Sequence, residues 1–477
     1  MKIAILASEA APLIKTGGLG DVMQGLPAEL SRMKGNEVVL VLPYYGVMKR
    51  NPNIKTEFIT SFAVPMAWRN CHVGLFRLKS RKKLQVYLVD NEQYFDRYRI
   101  YGEGDDGERF AYFCKAALSC LAAMDFIPDV INCNDWQTAL VPLLLKSEFA
   151  VTFPHTKSVF TIHNVEYQGW NNSFFNMDVL GLPAWATEVL DMGGAANAMK
   201  SAIVMADRVS TVSENYAGEL QNAYFAHGLD GLLRDNHYKL RGITNGIDTG
   251  AFDPMTDKAL PVNYNVENVL EAKAQNKKAL QEELGLEQDA DCAMLAMVSR
   301  LVSHKGIDLF TCMAHWLMER RVQLVILGTG DEQYEHFFRD LQARYPGRVA
   351  SVLQFNGGLA NRIYAGADLY LMPSKAEPCG LSQIIAMRYG TVPVVHAVGG
   401  LKDTVWPYDP DSQRGRGFTF QSYNALDFLG AIDRSLDVYY NQPGKFNDLR
   451  KSDMMQDFGW KEPAKKYMAM YHEITGN

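Results

Sequence analysis

Five side chains in this sequence are of the types that handle charged, oxygen-rich ligands, and each follows a short apolar run: Lys15, His163, Arg300, Lys305 and Glu377. Lys15 opens Lys15-Thr16-Gly17-Gly18-Leu19-Gly20-Asp21. Adjacent glycines let backbone N–H groups approach an anion, the helix that follows adds partial positive charge at its start, and the lysine adds a full one. This is no P-loop, because the lysine precedes the glycines and no Lys-Ser/Thr follows them. The same residues equally suit a tight strand-to-helix turn. His163, in Thr161-Ile162-His163-Asn164, is placed to donate to a substrate hydroxyl or stabilise charge, or to be structural. In Asn132-Cys133-Asn134-Asp135-Trp136-Gln137, Asp135 either faces ligand or caps a helix, and Trp136 is either core or a platform for a sugar ring. Arg300 and Lys305 flank a helix start, which suits a pyrophosphate leaving group and also a solvated basic loop. Glu377 lies in Ser374-Lys375-Ala376-Glu377-Pro378-Cys379-Gly380-Leu381-Ser382. Its carboxylate suits sugar hydroxyls while the amides of Leu381 and Ser382 suit phosphate; helix capping is the alternative. Gly399-Gly400-Leu401-Lys402-Asp403-Thr404-Val405 is another glycine-rich strand-to-helix turn. Gly328-Thr329-Gly330 lacks a third glycine in register, so a dinucleotide fingerprint is rejected.

Such residues need a scaffold that brings loop ends together. Apolar runs at 2–7, 38–42, 84–89, 130–133 and 159–162 read as buried strands, with helices at 20–33, 108–123 and 136–146. A second series has a charged helix at 264–285, strands at 292–298, 322–327, 349–355, 368–372 and 391–395, and helices near 306–320, 332–344 and 380–389. Strand-helix alternation with near-continuous apolar strands predicts parallel sheets covered on both faces, that is, two doubly wound α/β domains. The boundary is placed at 241/242, in a stretch punctuated by Asn-Gly, Asp-Pro and Pro261. The domains are then 1–241 and 242–455, and an amphipathic tail helix within 456–477 is expected to pack back on the first. In doubly wound folds ligands sit beyond the carboxyl ends of the strands, where the five residues fall.

Composition narrows the function. A chain of 477 residues with 47% hydrophobic and 21% charged residues is that of a globular enzyme. A formal net charge of −6 argues against wrapping nucleic acid or coating an anionic membrane. The first apolar run is too short for a signal peptide and no run spans a bilayer. The seven cysteines are scattered without a C-x-x-C, as expected of reduced thiols in a cytoplasmic protein, and no Cys/His cluster has zinc-ligand spacing.

Taken in order, the motifs resemble those of bacterial glycogen synthases and plant starch synthases across nearly the whole chain. Those that carry the resemblance are Lys15-Thr16-Gly17-Gly18-Leu19-Gly20-Asp21-Val22, Asn134-Asp135-Trp136-Gln137-Thr138-Ala139, Thr161-Ile162-His163-Asn164, Asn245-Gly246-Ile247-Asp248, Ser299-Arg300-Leu301 with His304-Lys305-Gly306, Glu377-Pro378-Cys379-Gly380-Leu381, and Gly399-Gly400-Leu401 with Asp403-Thr404-Val405. The resemblance implies a GT-B architecture of two Rossmann-like domains facing a deep cleft, ADP-glucose as donor, α-1,4-glucan as acceptor, retained configuration, and neither metal nor cofactor. It implies catalytic roles for Glu377, His163, Arg300 and Lys305. Donor contacts are implied at Lys15, Gly17, Gly18, Asp21, Asn245, Phe355, Cys379, Gly380, Leu381 and Ser382, and acceptor contacts at Asp135, Trp136 and Asn164. Three positions depart from the wider pattern: Gln137 where many members have His, Ala376 where an aromatic commonly precedes the glutamate, and Ile385 where the superfamily often has a second carboxylate. The rivals are a UDP-glucose transferase with a small acceptor, a pyridoxal-phosphate phosphorylase, for which the chain is short, and a silent glucan-binding protein, against which the five polar residues speak.

Overall fold

The computed structural model describes residues 1–80 and 83–476; the last residue of the expected tail, 477, lies outside the described residues. The chain forms two compact units, one of Met1–Gly246 with the tail from Trp460, the other Ile247–Gly459.

The first unit holds twelve described strands: β1 (Lys2–Leu6), β2 (Glu37–Pro43), β3 (Thr56–Met66), β4 (Arg69–Leu78), β5 (Gln85–Asp90), β6 (Val130–Asn134), β7 (Lys157–Ile162), β8 (Trp170–Asn171), β9 (Asp191–Met192), β10 (Ala195–Asn197), β11 (Arg208–Thr211) and β12 (Leu240–Gly242). Nine form one sheet in the order β12-β11-β7-β6-β1-β2-β5-β4-β3. From β12 to β5 every pair is parallel, and β4 and β3 append an antiparallel hairpin. β8, β10 and β9 form a small separate sheet. The central strands are buried throughout, β6 at every position, because helices cover both faces and leave no solvent side for polar alternation. The tail helix, Lys461–Thr475, packs on the helix Gly18–Arg32.

The second unit has β13 (Ala293–Val298), β14 (Val322–Leu327), β15 (Val349–Val352), β16 (Leu369–Met372), β17 (Val392–His396) and β18 (Phe418–Phe420). They form an all-parallel sheet in the order β15-β14-β13-β16-β17-β18.

Four local expectations need correction. The hairpin β3–β4 was not anticipated: its turn, at Ala67 with φ 49°, carries neither Gly nor Asn. The helix expected at 136–146 is one turn at Trp136–Thr138 and a separate short helix Val141–Leu145; Pro142 lacks an N–H and suits a helix start, not its interior. The strand expected at 349–355 stops at Val352, and Asn356 caps the next helix by accepting the Leu359 N–H. Phe355 is therefore in the connecting loop, 92% exposed, not at a strand end. The charged helix expected at 264–285 spans Val269–Glu283.

The second unit encloses ionised groups. Asp368, just before β16, accepts from Lys277 Nζ at 2.8 Å, Arg450 Nη2 at 3.0 Å and the Met294 N–H at 3.0 Å. Burial opposes ionisation of Asp368, but the two cations outweigh it and hold the carboxyl below its usual range. Asp368→Ala would leave both cations buried without their counter-charge, so it should lower unfolding free energy by about 3–5 kcal/mol. Urea unfolding of the two proteins measures this; superimposable transitions would contradict it.

Candidate functional site

In the first unit the polar residues gather where β1, β6 and β7 end. Beyond β1, Glu9 is 2% exposed, and its Oε2 accepts from the Thr16 N–H at 2.6 Å and the Thr16 hydroxyl at 2.7 Å. Burial raises the Glu9 carboxyl, opposed by Thr16 and by the amides of Gly20 and Gly17. The glycine loop is thus shaped from beneath by a carboxylate. Gly17 and Gly18 are exposed at the start of the helix Gly18–Arg32, and nothing lies near the place a Gly18 side chain would occupy. Lys15 does not extend freely: its Nζ lies 2.7 Å from Asp21 Oδ1.

Asp135 follows β6 with φ 59°, a left-handed conformation that costs a non-glycine residue about 1–3 kcal/mol. Its carboxylate does not cap the following turn. It crosses to the exit of β7 and accepts the N–H groups of His163 at 2.7 Å and Asn164 at 3.2 Å. Burial raises this carboxyl to about 7, the two amides oppose the rise, and the charge of Glu9 adds to it. The His163 ring has Nε2 2.9 Å from Asn134 Oδ1. Asn134 donates its own amide hydrogens to the Leu6 and Asn132 carbonyls, so its Oδ1 is an acceptor and His163 Nε2 carries the proton. Nδ1 then presents a lone pair. Although part of its surface stays exposed, burial pushes the imidazole down to about 3. His163 is therefore neutral at physiological pH, a hydrogen-bonding group and not a cation.

Trp136 is half-buried, edge-on to Phe110 at 5.2 Å. Gly169, φ 68°, packs so closely on the indole that a Cβ there would lie 2.5 Å from Trp136 Cε3, and this contact supports the reading of Trp136 as core. Asn164 is half-buried, and its Oδ1 accepts the Glu166 N–H at 3.0 Å. Asn245 is buried, with Oδ1 lacking a partner.

In the second unit β13 and β16 are neighbours and their exits are stitched together. The Lys375 N–H donates to the His304 carbonyl at 2.9 Å. Gly306, φ 78°, passes so near Pro373 that a Cβ would lie 2.1 Å from its carbonyl oxygen, so only glycine fits. The result is a contact between Lys305 Nζ and Glu377 Oε2 at 2.6 Å, with the Ser374 hydroxyl donating to the same oxygen at 3.0 Å. Glu377 is 7% exposed, and its backbone carbonyl accepts the Gly400 N–H at 3.1 Å. Both side-chain bonds end on Oε2, which leaves Oε1 without a partner among the described residues. Arg300 is exposed and carries no ion pair among the described residues. Cys379 is buried; Gly380, Leu381 and Ser382 lead half-exposed into the helix Ser382–Arg388.

The structure thus joins Lys305 to Glu377, Asp135 to His163 and Asn164, and Lys15 to Asp21. Sequence reasoning missed Glu9, Asn134 and Ser374 as supports. All three lie at or just beyond strand ends, which is the signal that was open to use. Among the described residues no group of three or more His, Cys, Asp or Glu is placed to hold a metal ion, all seven cysteines are free, and no helix is long and apolar enough to cross a membrane.

A testable consequence concerns His163. Its ring 15N signals should report a neutral imidazole with the proton on Nε2 from pH 8 down to 5. An imidazolium at pH 6 would contradict the burial argument.

Comparison with known proteins agrees with the geometry. Residues 2–235 match the starch synthase catalytic domain family and residues 282–447 the glycosyl transferases group 1 family. The glycogen synthase of Clostridium perfringens is 44% identical over 99% of this chain and 98% of its own length. That of Alkaliphilus metalliredigens is 43% identical over 99% and 100%. Among solved structures, the catalytic domain of starch synthase IV from Arabidopsis thaliana, bound to ADP and acarbose, superposes with TM-score 0.91 and 32% identity, covering 100% of this chain and 99% of that one.

Proposed function

This chain belongs to the glycogen and starch synthase family of GT-B glycosyltransferases, and from that premise we propose that it transfers glucose from ADP-glucose to the non-reducing 4-hydroxyl of an α-1,4-glucan with retention of configuration. The observation that carries the residue assignments is the half-used Glu377 carboxylate: Oε2 is fixed by Lys305 and Ser374, while Oε1 is left for a ligand. A buried acceptor held rigid on one side suits glucose hydroxyls. Lys305 gives one ammonium proton to Glu377 and keeps others for a phosphate oxygen, and the unpaired Arg300 supplies a second cation. Fixed cations stabilise the diphosphate charge that grows as the glycosidic bond breaks. In the first unit Lys15, on leaving Asp21, joins the exposed ends of Gly17 and Gly18 as phosphate ligands at a helix N-terminus. His163, neutral with Nδ1 open, accepts from the 6-hydroxyl of the glucose.

Phe355, exposed in its loop, lies under adenine. Asn245, Cys379, Gly380, Leu381 and Ser382 complete the donor contacts. Asp135 and Asn164 serve the acceptor side, Asp135 by holding the His163 loop, while Trp136 packs beneath Gly169 as core. Ile385 stands where the superfamily often has a second carboxylate, and we read the reaction as attack on the same face, assisted by the leaving phosphate. The setting proposed is the cytoplasm, where nucleotide sugar and glucan are both present.

Glu377→Ala should leave folding intact and lower turnover about a hundredfold or more, the effect of several kcal/mol of lost transition-state stabilisation. Glucose incorporation into glycogen from ADP-glucose measures it, with melting temperature as the folding control; near-normal turnover in the purified variant would sink the assignment.

A further inference from the structure

His396 ends β17, between the exits of its neighbours β16 and β18. It belongs to no motif singled out above, and it is 5% exposed. Its Nδ1 lies 2.8 Å from the Ser374 carbonyl oxygen, in the loop after β16, and its Nε2 lies 3.2 Å from the Gln421 carbonyl oxygen, just after β18. No backbone amide pairs with either oxygen among the described residues. A carbonyl only accepts, so each contact needs an N–H; a neutral imidazole has one and an imidazolium has two. The ring stacks on Phe420 at 4.9 Å and packs against Tyr423 at 5.5 Å, which fixes its plane. The titratable groups on the surrounding elements are Tyr423, whose hydroxyl donates to Asp308, Glu377 with Lys305, and the exposed Lys375 beside Ser374.

We propose that His396 is a positioning residue for the transfer reaction: its ring bridges the loop that carries Ser374 and Glu377 to the exit of β18, and so aims the Glu377 carboxylate. The connection is direct, because the residue whose carbonyl takes the Nδ1 proton is the one whose hydroxyl holds Glu377 Oε2. The inference rests on the reading of Glu377 as the sugar-holding carboxylate. It adds a group that does not touch substrate.

The test measures kcat and donor KM for the wild type, His396→Asn, His396→Leu and Glu377→Ala. Asparagine keeps an N–H toward Ser374; leucine keeps none. His396→Leu should lose about tenfold in kcat, the equivalent of one hydrogen bond, with donor KM unchanged. His396→Asn should regain most of that. Wild-type kcat in His396→Leu, a loss that appears in donor KM and not in kcat, or failure of asparagine to rescue would each overturn the proposal. If His396→Leu fails to fold, His396→Gln, whose longer side chain reaches toward Gln421 and not Ser374, takes its place with the same expected loss. Full turnover in Glu377→Ala would instead defeat the reading of Glu377, whatever His396 does.

Discussion

Neighbouring parallel strands end side by side at one edge of a sheet, and in the second unit that constraint brings Lys305 to Glu377 across 72 residues of sequence. Strands β13 and β16 pair through Leu295–Leu369 and Ala296–Tyr370, so the loops that leave them must share space. Gly306 and the Lys375 N–H close the gap, and the ammonium meets the carboxylate. Together, and with the Ser374 hydroxyl, they form a partly desolvated pair that still presents unused donors and, among the described residues, one unused acceptor. A site for a sugar on a diphosphate needs both.

The first unit solves a different problem with the same architecture. Its strand exits hold groups whose charge burial suppresses: the Asp135 carboxyl is raised to about 7 and the His163 imidazole lowered to about 3. Behind them lies a buried polar ladder across β6, β7 and β11, in which the Asn132 amide donates to Thr161 Oγ1 and Thr161 and Ser210 share a hydroxyl contact at 2.8 Å. Such a network fixes orientation more than it adds charge. The Asp135 and His163 groups thus act as directional hydrogen-bonding groups.

Much of the scaffold was legible because buried parallel strands read as unbroken apolar runs; β1, β2, β13 and β14 lie within a residue or two of the runs that announced them. What escaped had no such pattern. The hairpin β3–β4 is half-exposed, alternates irregularly and turns without glycine. Phe355 was displaced from its strand by a cap one residue later. In the site, Lys305 and Glu377 were legible by type and position, but their contact was not, since it depends on which strands are neighbours. His396 was illegible for another reason: a single buried polar residue looks like any other until its partners are known. Asp135 shows the limit most clearly, because its helix-start position suggested a cap and only the direction of its side chain shows that it serves His163 and Asn164.

The central claim is that these two sets of groups serve transfer of glucose from a nucleotide diphosphate to a glucan. The most direct measurement is proton NMR of the purified protein with ADP-glucose and a short maltooligosaccharide, following the anomeric signals as ADP is released. The account predicts growth of the α-1,4 signal in step with ADP, with no β-linked glucose signal at any time. Release of ADP without chain growth, or a β-linked product, would contradict it.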